Sequence, residues 1–154
     1  MIRDEVTASE VLQRYAAGQR RFVALELADR SDFHEVLLEG AAFDSCILSD
    51  IDFRDANLRG VVFKDCNLKG SDFRNADLQN AVFDGSAIES AFFEGALVDG
   101  ADCSKAYYHG YQLGNQRPDD WGGEVDRRHL PISRRITSAA SPAQGDGYQA
   151  GPGS

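Results

Sequence analysis

A period of five residues governs half of this chain. From Ser31 it divides without insertion into sixteen blocks: SDFHE, VLLEG, AAFDS, CILSD, IDFRD, ANLRG, VVFKD, CNLKG, SDFRN, ADLQN, AVFDG, SAIES, AFFEG, ALVDG, ADCSK and AYYHG. The third position reads Phe33, Leu38, Phe43, Leu48, Phe53, Leu58, Phe63, Leu68, Phe73, Leu78, Phe83, Ile88, Phe93, Val98, Cys103 and Tyr108. The first position is mostly small, and the fifth is rich in Gly, Asp, Asn and Ser. Such a period matches neither an amphipathic helix at 3.6 nor a strand at 2. It suits a solenoid in which each block makes a short extended segment and then a turn. The large third residue fills the interior and the small first residue lets the backbone close around it. The fifth supplies side chains that tolerate unusual backbone angles.

These blocks resemble the pentapeptide-repeat family. The resemblance implies an all-β solenoid: a right-handed quadrilateral β-helix of about four coils, with four blocks per coil. The period alone does not fix four sides. On that architecture phenylalanine occupies two opposite faces and leucine or isoleucine the other two, because Phe recurs every ten residues from Phe33 to Phe93. The expected organisation is an N-terminal capping helix and lead-in over 1–21, the β-helix over 22–115, and a flexible tail rich in Gly, Pro, Ser and Arg over 116–154.

Both ends of a solenoid expose an open edge that needs a cap. Thr7 with Glu10 reads as a capping box, and Gly18 as the stop of a short helix carrying Val11, Leu12, Tyr15 and Ala16 on one side. A partial coil with Phe22 and Leu27 inside should follow, and the six residues from Leu27 to Phe33 slip the frame by one. At the other end Tyr107, Tyr108 and Tyr111 suggest an aromatic plug. The alternative there is a homodimer through the C-terminal end, as the family resemblance implies for some quinolone-resistance members.

The charge is −9, from 25 acids and 16 bases. An acidic chain is repelled by nucleic-acid phosphates and anionic membranes, so direct nucleic-acid binding is not expected and an unidentified protein is the expected partner. No run of 18 apolar residues exists, so no membrane span is expected. MIRDEVTASE lacks an apolar signal core, which makes the cytoplasm the expected location. Three cysteines without CxxC spacing argue against a disulfide framework and a zinc site. Cys46 and Cys66, twenty apart, should be stacked buried thiols. No phosphate loop, Ser/His/Asp set or HExxH helix occurs. No enzyme activity, cofactor or metal is expected, and His34, His109 and His129 read as surface histidines.

The outward positions carry the remaining information. Five consecutive fourth positions, Arg54, Arg59, Lys64, Lys69 and Arg74, form a basic belt with acids on the coils to either side. Residues twenty apart should be vertical neighbours at about 4.8 Å. Exposed ionic ladders are therefore expected from Lys64 to Asp44 and Asp84, from Arg59 to Glu39, from Lys69 to Glu89 and from Arg74 to Glu94. Asp32, Asp52 and Asp72 should form a like-charge column, either solvated and held by local turn hydrogen bonds or met by a cation from a basic partner or from the chain's own Arg127, Arg128, Arg134 and Arg135. Ala42, Val62 and Val82 form an apolar column, and Phe92, Leu97 and Tyr107 add apolar surface near the C-terminal end.

Two functional readings follow. The first is a non-catalytic protein–protein interaction or scaffold module. The second, implied by the resemblance, is a DNA-mimicking modulator of a type II topoisomerase such as gyrase. The basic belt across the middle of the solenoid weighs against the second.

Overall fold

The computed structural model describes residues 3–114. The solenoid is a right-handed quadrilateral β-helix. We number its faces by the blocks beginning at Ser31 (face one), Val36 (two), Ala41 (three) and Cys46 (four), each recurring every twenty residues. The elements in order are β1 (Asp4–Val6), α1 (Ala8–Ala16), β2 (Arg21–Val23), β3 (Leu25–Leu27), β4 (Ala42–Asp44), β5 (Val62–Lys64), β6 (Val82–Asp84), β7 (Tyr107–Tyr108) and β8 (Tyr111–Gln112).

Face three is the one drawn out into regular strands, a parallel sheet in the order β2-β4-β5-β6 with Phe43 opposite Phe63 and Phe63 opposite Phe83. The other faces are held by single parallel bridges at the second position, such as Asp32–Asp52–Asp72–Phe92 and Leu37–Asn57–Asp77–Leu97. Where face three ends, Asp102 accepts the Ser104 backbone N–H at 2.9 Å and the three-residue strand is not repeated. The same turn, an Asp or Asn at position two accepting the N–H at position four, forms at Asp32, Asp52, Asn57, Asn67, Asp72 and Asp77.

Every third-position side chain from Phe33 to Tyr108 is buried. The phenylalanines stack in two ladders, Phe22–Phe43–Phe63–Phe83 and Phe33–Phe53–Phe73–Phe93, with centroids 5.1–5.6 Å apart. The ladders meet edge to face at 6.0–6.2 Å, the geometry the ring quadrupole favours. Fifth positions turn the corners: from Glu35 to Gly100 each has φ between +56° and +75°, except Asp65 at +53°. At four of them, Gly70, Gly85, Gly95 and Gly100, an Asp or Asn side chain of the preceding coil occupies the space a Cβ would take. A Cβ on Gly70 or Gly95 would overlap the side-chain oxygen of Asp50 or Asn75 lying over it from the preceding coil.

Along β4–β6 face three lacks the tight corner, which returns in its last block, where the Ala106 N–H bonds the Cys103 carbonyl at 2.9 Å. At most other corners the first-position N–H closes onto a carbonyl three residues back, as Val61 does onto Leu58 at 3.1 Å, whereas on face four the Ile51 N–H bonds Ser71 Oγ at 3.2 Å and that hydroxyl donates to the Leu48 carbonyl. At the end of face three a side chain from the next coil intervenes. Ser86 Oγ accepts the Cys66 N–H at 2.9 Å and donates to the Phe63 carbonyl at 2.8 Å. In the same column the thiols of Cys46 and Cys66 donate to the carbonyls of Phe22 and Phe43, at 3.5 and 3.3 Å. The two cysteines are stacked, buried and free, and they serve as hydrogen donors of the column rather than as inert filling. The hydrogen bond to Cys46 and burial together hold the Cys66 proton tightly, pushing that thiol up.

The N-terminal lead-in does more than cap. Thr7 caps α1 by accepting the Glu10 N–H, Val11 is fully buried, and the Tyr15 hydroxyl donates to the Glu39 carbonyl at 2.7 Å. Ahead of the helix, β1 pairs in parallel with β3, a contact that no periodicity announces. Phe22, Leu25 and Leu27 fill the first partial coil. The frame slip is present: Phe22 pairs with Phe43, twenty-one residues on, whereas Asp32 pairs with Asp52. Arg30, at φ +66°, turns the corner where the extra residue is absorbed.

The C-terminal end differs from the expected aromatic plug. β7 and β8 form an antiparallel hairpin, which takes the chain off the helical path and seats Leu113 against the core. Tyr108 points inward as a third-position residue, whereas Tyr107 is 37% exposed. The tail over 116–154, with Arg127, Arg128, Arg134, Arg135 and His129, lies outside the described residues.

Candidate interaction surface

The predicted charge ladders are not the pairs that form. Arg54 grips Asp52 through two bonds, Nε to Oδ1 at 3.0 Å and Nη2 to Oδ2 at 2.9 Å, and Arg74 grips Asp72 in the same way. Arg54 also lies 3.8 Å from Asp72, Arg59 pairs with Asp77 at 3.0 Å, and Lys64 pairs with Asp65 at 3.4 Å. Asp44, expected to face Lys64, is taken by Arg21 at 2.9 Å. The cause is local. The turn that holds the Arg54 N–H on Asp52 Oδ1 already aims that carboxylate at the arginine's own side chain. A bidentate fork two residues away then outcompetes a single contact one coil away. Among the described residues Lys69 is the one member of the belt without an ion pair.

The aspartate column is therefore met from within. Asp52 and Asp72 have arginine partners, and Asp32 is exposed with its carboxylate on the His34 N–H. Hydrogen bonding by Arg54 holds the Asp52 carboxyl below the ordinary aspartate range against the opposing effect of burial. The Ser104 backbone N–H does the same for Asp102. A carboxyl whose folded pKa is depressed stabilises the fold above its unfolded value, near 3.9, and that contribution is lost as pH falls through the folded value. Stability should thus be level from pH 7 to 5 and decline below about pH 4. Asp52→Asn should be less stable than wild type at pH 7, with the gap closing by about pH 2 in urea titrations.

Val62 and Val82 are half-buried strand residues of face three. Among the described residues the exposed large apolar ones are Val23, Leu37, Phe92, Leu97 and Tyr107, at 44, 55, 37, 52 and 37%. Three of the five stand on the last coil. Phe92 lies next to Glu94 on face one and Leu97 next to Asp99 on face two, separated by the Gly95 corner. Arg74 leans over the Phe92 ring at 5.4 Å. Among the described residues neither Glu94 nor Asp99 enters an ion pair. No lysine or arginine occurs between Arg74 and Lys105, a span holding Asp77, Asp84, Glu89, Glu94, Asp99 and Asp102. Asp77 is taken by Arg59, but the last coil presents Phe92 and Leu97 beside Glu94 and Asp99, two carboxylates without an ion pair among the described residues, while the central coil is largely self-neutralised. Single exposed apolar residues need no explanation, but a cluster edged with charge does.

Residues 28–103 match the family model of a pentapeptide repeat region. A pentapeptide repeat protein from the cyanobacterium Cyanothece 51142 superposes with a TM-score of 0.54 at 24% identity, covering 58% of this chain and 62% of that one. The chain thus spans about three fifths of that structure's length, and at this identity the likeness speaks to fold alone. A pentapeptide repeat protein from Nostoc Pcc 7120 is 28% identical over 73% of this chain and 93% of that one, with a TM-score of 0.38. QnrB1, a plasmid-mediated fluoroquinolone resistance protein, matches at 22% identity over 57% of this chain and 60% of that one, with a TM-score of 0.33. At such scores neither of these last two likenesses bears on function. No curated protein matches the chain. Among the described residues no helix is long and apolar enough to cross a membrane.

Proposed function

We propose, since this chain belongs to the pentapeptide-repeat family, that it is a non-catalytic protein-binding module whose contact surface is the last coil of the solenoid. The observation that carries the reading is the pairing of Phe92 and Leu97 with Glu94 and Asp99 on adjoining faces. A partner segment that alternates cations with aliphatic side chains fits it, since apolar burial supplies affinity and the carboxylates set orientation and on-rate. Pentapeptide-repeat proteins are in general structural or interaction modules, which supports this reading.

The test is a pull-down from cell extract with the full chain, repeated without residues 116–154. Partners held by wild type should be lost from a Phe92→Glu/Leu97→Glu variant that keeps its circular dichroism, and weakened at least tenfold by 0.5 M salt. Retention by the double variant would move the contact surface elsewhere. The gyrase reading predicts inhibition of DNA supercoiling. Because the belt and the aspartates neutralise one another across the middle coil, we expect purified protein to leave supercoiling unchanged at micromolar concentration. Inhibition there would favour DNA mimicry instead.

A further inference from the structure

We propose that His34, Glu35 and Asp55 form a surface site for a divalent transition-metal ion of the zinc class. His34 ends face one of the first full coil, and Glu35 and Asp55 are the corner residues of that coil and the next. Nε2 of His34 lies 3.2 Å from Asp55 Oδ2 and 3.9 Å from Glu35 Oε2, and the three donor atoms all lie within 4.8 Å of one another. A tetrahedral zinc with bonds of about 2.0–2.2 Å sets its ligand atoms roughly 3.3–3.6 Å apart. Small rotations of exposed side chains reach that geometry.

The site is built by the coil geometry. Glu35 and Asp55 share the left-handed corner conformation, at φ +62° and +60°, so their side chains leave the solenoid in the same direction one coil apart. Backbone bonds from Glu35 N to the Arg54 carbonyl and from Asp55 N to the Arg74 carbonyl fix that stacking at 2.9 and 3.1 Å. The Asp32 carboxylate holds the His34 N–H at 2.9 Å. Other corners set an Asp or Asn over a glycine, as Asp50 over Gly70 and Asn75 over Gly95. This corner sets a carboxylate over a carboxylate. The nearby arginine, Arg54, is committed to Asp52 and Asp72, and among the described residues no lysine or arginine pairs with Glu35 or Asp55. One imidazole with two carboxylates suits zinc, nickel or copper rather than magnesium or calcium. The outer coordination positions face solvent, open to water or to a side chain of a bound protein. This site is on the opposite end of the solenoid from the surface proposed above and stands independently of it.

The experiment is calorimetric titration of zinc chloride into the full chain, with cobalt(II) as a spectroscopic substitute. We expect one equivalent bound with a dissociation constant on the order of 10 µM, reversed by chelator and accompanied by visible cobalt bands of a nitrogen–oxygen site. His34→Ala and Asp55→Asn, both exposed and checked for native circular dichroism, should each weaken binding tenfold or more, and magnesium should not compete. Wild type that binds no zinc below 1 mM overturns the proposal. So does wild-type affinity in the His34→Ala variant, which would place the ion on another histidine or on the cysteines.

Discussion

Phe63→Ala should lower the unfolding free energy by about 3–5 kcal/mol, the range for emptying a large buried aromatic site. Phe63 is fully buried and, like Phe73, meets four other phenylalanine rings. It stacks on Phe43 and Phe83 at 5.6 and 5.3 Å and meets Phe53 and Phe73 edge to face at 6.1 and 6.0 Å. The rigid backbone bonds between coils leave the walls little freedom to collapse into the space. Phe33→Ala, whose buried ring stacks on Phe53 alone among the described rings, should cost less by at least about 1 kcal/mol, since ring pairs contribute roughly 0.5–1.5 kcal/mol each beyond burial. Urea unfolding followed by far-ultraviolet circular dichroism reads both. Equal losses would mean that the ladders are area burial and nothing more.

Ser86→Ala should cost about 2 kcal/mol, although it removes one oxygen atom. The hydroxyl is wholly buried and bridges the Cys66 N–H to the Phe63 carbonyl. Deleting it leaves a buried donor without an acceptor, a penalty of about 1–3 kcal/mol. Ser86→Cys should recover more than half of the loss, because Cys46 and Cys66 already donate to carbonyls in this column. Ser49→Ala, at a half-exposed position, should stay within about 0.5 kcal/mol of wild type. A neutral Ser86→Ala would show that the corner closes on its own.

The interior of the solenoid was legible because its physics is local and periodic. The third position must be large and the fifth must tolerate a left-handed turn, so five letters state the requirement wherever they recur. The charge pairing was not legible in the same way. Vertical neighbours follow from a count of twenty, but the choice between Asp52 and a residue one coil away depends on the turn that pre-aims the Asp52 carboxylate. The column of Cys46, Cys66 and Ser86 looked merely small, since nothing in the letters tells that face three leaves its corner open. β1 lies outside the repeat and carries no period. The exposed character of Phe92, Leu97 and Tyr107 was readable, because second positions point outward. The proposed metal ligands were not, because His34 and Asp55 are distant in sequence and meet only when coils stack.

The alternation of Phe and Leu ladders also limits how a chain of this kind can change length. Removing one block of five would turn everything after it through a quarter revolution and set leucines under phenylalanines. Removing ten keeps like over like inside, yet carries Phe92 and its neighbouring acids to the far side of the molecule. Only whole coils of twenty preserve both the filling and the outward display. The interior thus tolerates edits in tens and the surface only in twenties. Any binding surface on this scaffold is inherited in units of a full revolution.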